Sequence, residues 1–348
     1  MNKVLVAMSG GVDSAAAACI LREQGHEVAG ATFHLWKPTE STAAMQRDID
    51  DARAICEALD ITHHVLDYRE LFMNTVVKPF IKAYDLGRTP NPCIFCNRAI
   101  KLGAFLNSAR ELGYDYIATG HYAQLEHGEN GVRLRCAAHL PKDQSYVLYP
   151  ATQEQLSHLM LPLGGITKDE ARAVASKYNL LVQNRPESQD ICFITDGNTG
   201  GFLDKYADAT CPASNFVDVN GKVMGAHKGI RYYTIGQRKG LGISAERPVY
   251  VKEIDTASGN ITLSDNDSLF SHNLTASEIN WITPPDFSAP LRLSARIRYA
   301  HKPAPALIDT IDDNRIHLTF YEPQRAITRG QSVVFYDGDY LIGGGIID

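Results

Sequence analysis

The chain has 348 residues and a formal charge of −6, with 44% hydrophobic and 21% charged residues. This is ordinary globular usage, and it excludes a collagen-like, coiled-coil, disordered or disulfide-scaffold protein. At about 100–200 residues per domain the length predicts two or three domains, with enough chain to bury a core unaided.

No run of about 18 apolar residues occurs, so no membrane-spanning helix and no membrane partner are expected. The apolar stretch after Lys3 stops at SGGVDS, and Asp13 would fall inside any signal-peptide core. A secretory signal is therefore rejected and a cytoplasmic location expected. The seven cysteines, an odd number, argue against a disulfide framework and for catalytic or metal use of some of them.

In chain order, residues 3–8 (KVLVAM) read as a buried strand and SGGVDS as a glycine-rich turn. Ser14 to Gln24 reads as a helix closed by Gly25. His26–Phe33 is the next strand, Arg47–Leu59 a helix, and His63–Leu66 and Asp115–Thr119 further strands. Strands alternating with helices predict an α/β domain with a doubly wound parallel sheet, whose ligands bind at the carboxyl ends of strands. SGGVDS, Phe33 and Gly120-His121 stand at such ends. After GNTGG (197–201), read as a linker, short β-rich runs alternate with turns, and they resume from Leu291 to the end. Asp-Asp-Asn at 312–314 and Asp-Gly at 337–338 are hairpin signals. The expected division is a catalytic domain over 1–196, a central β-rich domain over 197–270 and a C-terminal β-barrel over 271–348.

The chemistry is concentrated at Ser9-Gly10-Gly11-Val12-Asp13-Ser14. Glycines let backbone approach a ligand closely, the following helix start offers unpaired N–H groups, and two serine hydroxyls add donors, which suits phosphate. Asp13 would repel phosphate unless a cation lies between, which points to Mg²⁺. The loop is neither GxxxxGK[ST] nor GxGxxG. It resembles the PP-loop of the N-type ATP pyrophosphatases, which cleave ATP to AMP and pyrophosphate while adenylating a substrate.

Further segments narrow the resemblance. GRTPNPCIFCN (87–97) with Ile100-Lys101, ATGHYA (118–123), KDQSY (142–146), DICF (190–193), IGQRKGLGI (235–243) and the glycine-rich tail are similar to those of the tRNA-specific 2-thiouridylases. The resemblance runs from residue 3 to 348 and implies replacement of the 2-oxygen of the tRNA wobble uridine by sulfur. A uracil oxygen is a poor leaving group; adenylation makes AMP leave instead, and a thiolate carries sulfur as a persulfide. The resemblance implies that Cys192 receives the persulfide, and that Cys96 releases the sulfur or closes a Cys96–Cys192 disulfide. It places ATP at Ala7, Met8, Ser9, Gly10, Gly11, Val12, Asp13, Ser14, Phe33 and Gly120. It places tRNA at Asn91, Pro92, Cys93, His121, Lys142, Asp143, Gln144, Arg298, Tyr299 and Gln331. Its implied partners are tRNA and a desulfurase or sulfur-relay protein. The remaining cysteines, Cys19, Cys56, Cys136 and Cys211, read as small buried apolar residues.

One position departs from the family pattern. Cys93 stands where better-known members carry Asp, creating a Cys93-x-x-Cys96 pair with Cys192 as a third thiolate. Three thiolates suit a [4Fe–4S] cluster with one iron open to free sulfide, while a CxxC also fits zinc, a redox pair or a simple replacement of Asp, so persulfide and cluster routes both stay open here. Residues 219–245 lack acids and carry Lys222, Lys228, Arg231, Arg238 and Lys239 beside Tyr232 and Tyr233; residues 287–308 likewise carry Arg292, Arg296, Arg298 and Lys302 beside Tyr299 and His301. Basic and aromatic side chains together suit the phosphates and unstacked bases of an anticodon loop. The rival readings are another PP-loop ligase or amidotransferase, and a paralogue that binds tRNA without thiolating it.

Overall fold

A computed structural model describes residues 1–38, 42–178, 180, 191–194, 196–207, 211–285, 290–312 and 314–348. The helices are α1 (Val12–Glu23), α2 (Thr42–Ala58), α3 (Arg69–Phe72), α4 (Lys78–Asp85), α5 (Pro92–Cys96), α6 (Phe105–Glu111), α7 (Gln153–Ser157), α8 (Lys168–Lys177) and α9 (Thr199–Tyr206). The strands of the first half are β1 (Lys3–Ala7), β2 (Glu27–His34), β3 (His63–Asp67), β4 (Tyr116–Ala118), β5 (Ala123–Gly128), β6 (Gly131–Cys136) and β7 (Leu159–Met160). Those of the second half are β8 (Ser214–Val217), β9 (Val223–His227), β10 (Tyr250–Ile254), β11 (Ile261–Ser264), β12 (Phe270–Trp281), β13 (Leu291–Arg296), β14 (Ala304–Asp312), β15 (Arg315–Arg325), β16 (Ser332–Asp337) and β17 (Tyr340–Ile347). Among the described residues no helix is long and apolar enough to cross a membrane.

The chain forms two compact units. The first comprises Met1–Val76, Cys93–Thr195 and Gly338–Ile342; the second comprises Val77–Pro92, Asp196–Asp337 and Gly343–Asp348. In the first, β3-β2-β1-β4-β7 form one parallel sheet, as the alternation of apolar runs predicted. The chain leaves β1 outward to β2 and β3, then returns to β4 on the other side of β1, so the loops after β1 and β4 flank the reversal of strand order. Such a reversal opens a crevice at the carboxyl ends of the strands. Four consecutive alanines, Ala15–Ala18, are fully buried in α1. Their small size lets α1 lie against both the sheet and α8, where Ala171 and Ala175 join the same core.

In the second unit β10-β11-β8-β9 form a small mixed sheet around Phe216, Tyr233, Leu241, Val251 and Ile261. The order β12-β15-β14-β13-β16-β17 closes through pairing of β12 with Gly343–Ile347 of β17, giving a six-stranded barrel without a free edge. Phe335 is fully buried in the barrel core, 5.4 Å from Trp281 between ring centroids. Phe335→Ala should cost the barrel about 3–5 kcal/mol. Denaturant titration followed by Trp281 emission, in a Trp36→Phe background, checks this.

Three features go beyond what the sequence implies. GNTGG is not a free linker: Asn198 caps α9, its Oδ1 accepting from Gly201 N at 3.0 Å, and a Cβ at Gly200 would strike the Tyr232 ring at 2.3 Å. The β5–β6 hairpin was not anticipated, because its strands alternate weakly and its two-residue turn, Glu129-Asn130, carries no standard hairpin pair. Finally, Val77–Pro92 is built into the second unit: Asp85 pairs with buried Arg231, Thr89 Oγ1 donates to Thr234 Oγ1 at 3.2 Å, and Gln331 donates to the Thr89 carbonyl at 2.6 Å.

Candidate active site

The loop after β1 turns through Gly10, whose φ of 71° is a left-handed conformation open to glycine, and Gly11 leads into α1. Met8 N donates to Ala31 O at 2.8 Å, so the sheet ladder holds the entry to the loop. Within it, Ser9 N donates to Ser14 Oγ at 3.2 Å, and Ser14 Oγ donates to Gly11 O at 3.0 Å. Ser9 Oγ lies 3.3 Å from Ser14 Oγ. Across the crevice, a Cβ on Gly120 would fall 3.0 Å from the Asp13 carbonyl carbon and 3.1 Å from Ser14 N. The backbone after β4 therefore packs directly on the first turn of α1.

Asp13 has a cation beside it, but that cation is a side chain. Lys168 Nζ donates to both carboxylate oxygens at 2.7 Å, and Tyr122 Oη donates to Oδ1 at 2.7 Å. Neither partner was marked by sequence reasoning. The Thr-x-x-Glu capping box before α8 was legible, yet nothing in it names a partner 155 residues away. Phe33, at the end of β2, is half-buried and packs edge-on to Phe105 at 4.8 Å and tilted to Tyr68 at 5.5 Å.

Cys96 ends α5 and is followed at once by a π-helical stretch, Asn97–Ala104. It is buried, and its thiol is pushed up to about 12, chiefly by burial; Lys101 opposes the shift while Cys192 and Cys93 add to it. Cys192 is exposed, yet its pKa is raised by desolvation from the surrounding protein and by Cys93, against Lys101 and Lys37. Its neighbour Phe193 is buried, 5.7 Å from Phe72 between ring centroids, which anchors the segment. His121 is buried with Nδ1 2.8 Å from Thr119 Oγ1, and burial followed by the Lys101 charge drives its pKa well below the ordinary value. One ammonium, Lys101, thus acts on Cys96, Cys192 and the residue next to Gly120. Sequence reasoning quoted Lys101 inside a motif but gave it no role.

All seven cysteines are free thiols. Cys93 is exposed. Among the described residues no three His, Cys, Asp or Glu side chains are gathered to hold a metal. Cys93, Cys96 and Cys192 nonetheless act on one another: Cys192 and Cys93 both raise the Cys96 pKa, and Cys93 raises that of Cys192. Brief alkylation with iodoacetamide near neutral pH should label Cys93 and Cys192 well before Cys96, Cys19 and Cys56. The last three are buried, with pKa values raised to about 12, about 11 and about 12. Peptide mass spectrometry against time reads the order.

The expected tRNA residues divide between the units. In the first, Lys142 and Gln144 are half-buried, and Gln144 Oε1 accepts from Tyr122 N at 2.9 Å. Asp143 is turned inward: its carboxylate accepts from Ala137 N at 3.0 Å, Ser145 N at 3.2 Å and Ser145 Oγ at 2.9 Å, so its side chain shapes this loop. In the second, Asn91 is half-buried and Pro92 buried, Tyr299 is exposed, and Arg298 donates to Arg325 O at 3.2 Å. The acid-free stretch 219–245 is less basic outside than its sequence indicates. Arg231 is buried against Asp85, and Tyr233 is buried between Phe216 and His227. Lys222, Lys228, Arg238 and Lys239 remain exposed.

Residues 2–196 match a family described as the tRNA methyl transferase HUP domain, 200–265 its PRC-barrel domain, and 271–347 the aminomethyltransferase beta-barrel domain. The chain is thus a HUP-type α/β protein followed by two β modules. The tRNA-specific 2-thiouridylase MnmA of Acetivibrio thermocellus is 45% identical over 355 residues, covering 99% of each chain. That of Clostridioides difficile is 44% identical over 354 residues, covering 100% of this chain and 98% of the other. The chain belongs to this 2-thiouridylase family. The U34-tRNA thiolase NcsA from Methanococcus maripaludis, solved with its [4Fe-4S] cluster, is 19% identical and covers 60% of this chain and 68% of that one. Its TM-score of 0.35 is too low to support an inference about this site.

Proposed function

We propose that this chain uses ATP to replace the 2-oxygen of the wobble uridine of tRNA with sulfur. The loop Ala7–Ser14, with Gly120 and Phe33, holds ATP, and Mg²⁺ accompanies the triphosphate as its counterion. The uracil 2-oxygen attacks the α-phosphorus, releasing pyrophosphate and leaving an adenylated oxygen on an activated C2 carbon. A persulfide on Cys192, loaded by a desulfurase or relay protein, attacks that carbon and AMP departs. Cys96 then attacks Cys192 Sγ, breaking the sulfur–sulfur bond; the thiouridine leaves, and the two cysteines remain as a disulfide for an external thiol to reduce.

The observation that carries this reading is geometric: Gly120 packs on the first turn of α1 behind the glycine-rich loop, in the same unit as exposed Cys192 and buried Cys96. The Lys101 ammonium acts on both thiols and on His121, the neighbour of Gly120. A nearby cation favours thiolate formation at the moment each thiol must react. Asn91, Pro92, Cys93, His121, Lys142, Gln144, Arg298, Tyr299 and Gln331 are proposed to meet the tRNA, with Asp143 acting through the shape of its loop. The matching HUP family bears a methyl transferase description. Methyl transfer would need neither an adenylating loop nor a thiol pair, so the site favours thiolation.

Unmodified tRNA incubated with ATP, a cysteine desulfurase and cysteine, then digested to nucleosides, should yield 2-thiouridine by mass spectrometry together with AMP. The unlike environments of exposed Cys192 and buried Cys96 support the persulfide route, with one thiol open to a donor and the other held back to resolve. Protein purified without air should therefore contain far less than one iron per chain while remaining active; stoichiometric iron, lost with activity in air, would reverse that choice.

A further inference from the structure

Asp13 sets an electrostatic problem for the loop it belongs to. Its carboxylate sits in the first turn of α1, the end that should attract a triphosphate, and a fixed negative charge there opposes the ligand. The countercharge is already in place. Lys168 Nζ lies 2.7 Å from both oxygens, and the lysine side chain is only 9% exposed. Lysine is almost never buried unless paired, and the first residue of a helix is where the helix dipole most disfavours a cation. The backbone preceding it is fixed by the Thr167–Glu170 capping box, and Tyr122 Oη ties the segment after β4 to the same carboxylate. Local helix energetics would place an acid at residue 168, and the lysine found there is paired instead with Asp13.

We propose that Lys168 is a positioning residue that neutralises and clamps Asp13, and that this pairing is what makes the glycine-rich loop receptive to the triphosphate. The proposal rests on the ATP reading above and adds a residue to it. With the pair intact, the loop meets the phosphates with its N–H groups, its hydroxyls and a carboxylate whose charge is cancelled. Without Lys168, Asp13 is an unbalanced anion within the phosphate site.

The test is ATP affinity of the full chain, measured by calorimetry with MgATP. Lys168→Met should weaken binding on the order of ten- to a hundredfold, as expected for a bare charge near a polyphosphate. Lys168→Arg should keep most of the affinity. The double variant Asp13→Asn/Lys168→Met, which removes both charges, should bind MgATP several-fold more tightly than Lys168→Met alone, because neighbouring residues in one ion pair do not contribute additively. A lysine that merely packs would be missed as much in the double variant as in the single one. Equal affinity of Lys168→Met and wild type overturns the proposal, as does a double variant no better than the single. Should Lys168→Met melt too early to assay, loss of ATP binding in the double variant alone decides against it. A wild-type chain that does not bind MgATP defeats the ATP reading itself.

Discussion

Cys192→Ser is expected to abolish thiolation, by on the order of a thousandfold or more, the scale of loss when a reacting nucleophile is removed. Pyrophosphate release in the presence of tRNA should persist, because the loop proposed to hold ATP is untouched. The paired variant sharpens the expectation. Cys96→Ser should also stop product formation when no thiol reagent is added, but it should leave tRNA joined to Cys192 through a disulfide that dithiothreitol releases. Cys192→Ser should trap nothing. The difference follows from the environments of the two thiols. Cys192 is exposed and able to meet a donor protein, whereas Cys96 is buried with its thiol held up at about 12. A group so placed stays protonated until the reaction brings it a partner, which suits a resolving role and not an accepting one. Gel electrophoresis of labelled tRNA with and without reductant reads the adduct directly. An adduct in Cys192→Ser would exchange the roles, and full activity in either variant would end them.

The second large effect is expected at a residue with no reactive group. Gly120→Ala should lower tRNA-dependent AMP formation about a hundredfold, the scale of a misplacement near 1 Å in a site that works by positioning. A methyl group there would sit 3.0 Å from Asp13 Cβ as well as from its carbonyl carbon, and both belong to the rigid first turn of α1. Something must shift, and the nearest atoms are those that shape the phosphate loop. The cost to stability should be modest, about 1–3 kcal/mol, typical of overpacking. Gly165→Ala, where the added carbon meets nothing within 4 Å, is the matched control and should leave both turnover and melting unchanged. Steady-state AMP formation with thermal melting separates the two effects, and near-normal turnover in Gly120→Ala would show that the loop does not depend on this contact.

The sequence disclosed the parallel sheet well because its strands are short apolar runs bounded by glycine and charged helices. β1, β2, β3 and β4 all fall within or close to the segments expected for them. It disclosed the glycine-rich turn because a strand, two glycines and a helix start are contiguous. Interactions between distant residues left no such trace. Lys168 looks like an exposed residue of a capped helix until α8 is laid on α1, and Arg231 looks like part of an RNA-facing patch until Asp85 covers it. The two-residue β7 and the hairpin of β5 and β6 are defined more by their neighbours than by their own residues. The contrast between Cys96 and Cys192 is likewise a tertiary fact. Cys96 and Phe193 are buried, while Cys192, one position before Phe193, is open.

The strap Val77–Pro92 has a consequence for how such a protein could be taken apart or assembled in evolution. It leaves the first unit and returns just before Cys93, carrying buried Phe80, Ile81 and Tyr84 into the second. Phe80 there faces Phe202 of α9 at 6.4 Å. A fragment ending at residue 196 would strip those side chains of their cover and leave a greasy excursion in the middle of an otherwise finished nucleotide-binding fold. A single crossover at that boundary would bring in the β modules without the segment that packs among them. The thiol at residue 96 is therefore reached, along the chain, only by way of the second unit.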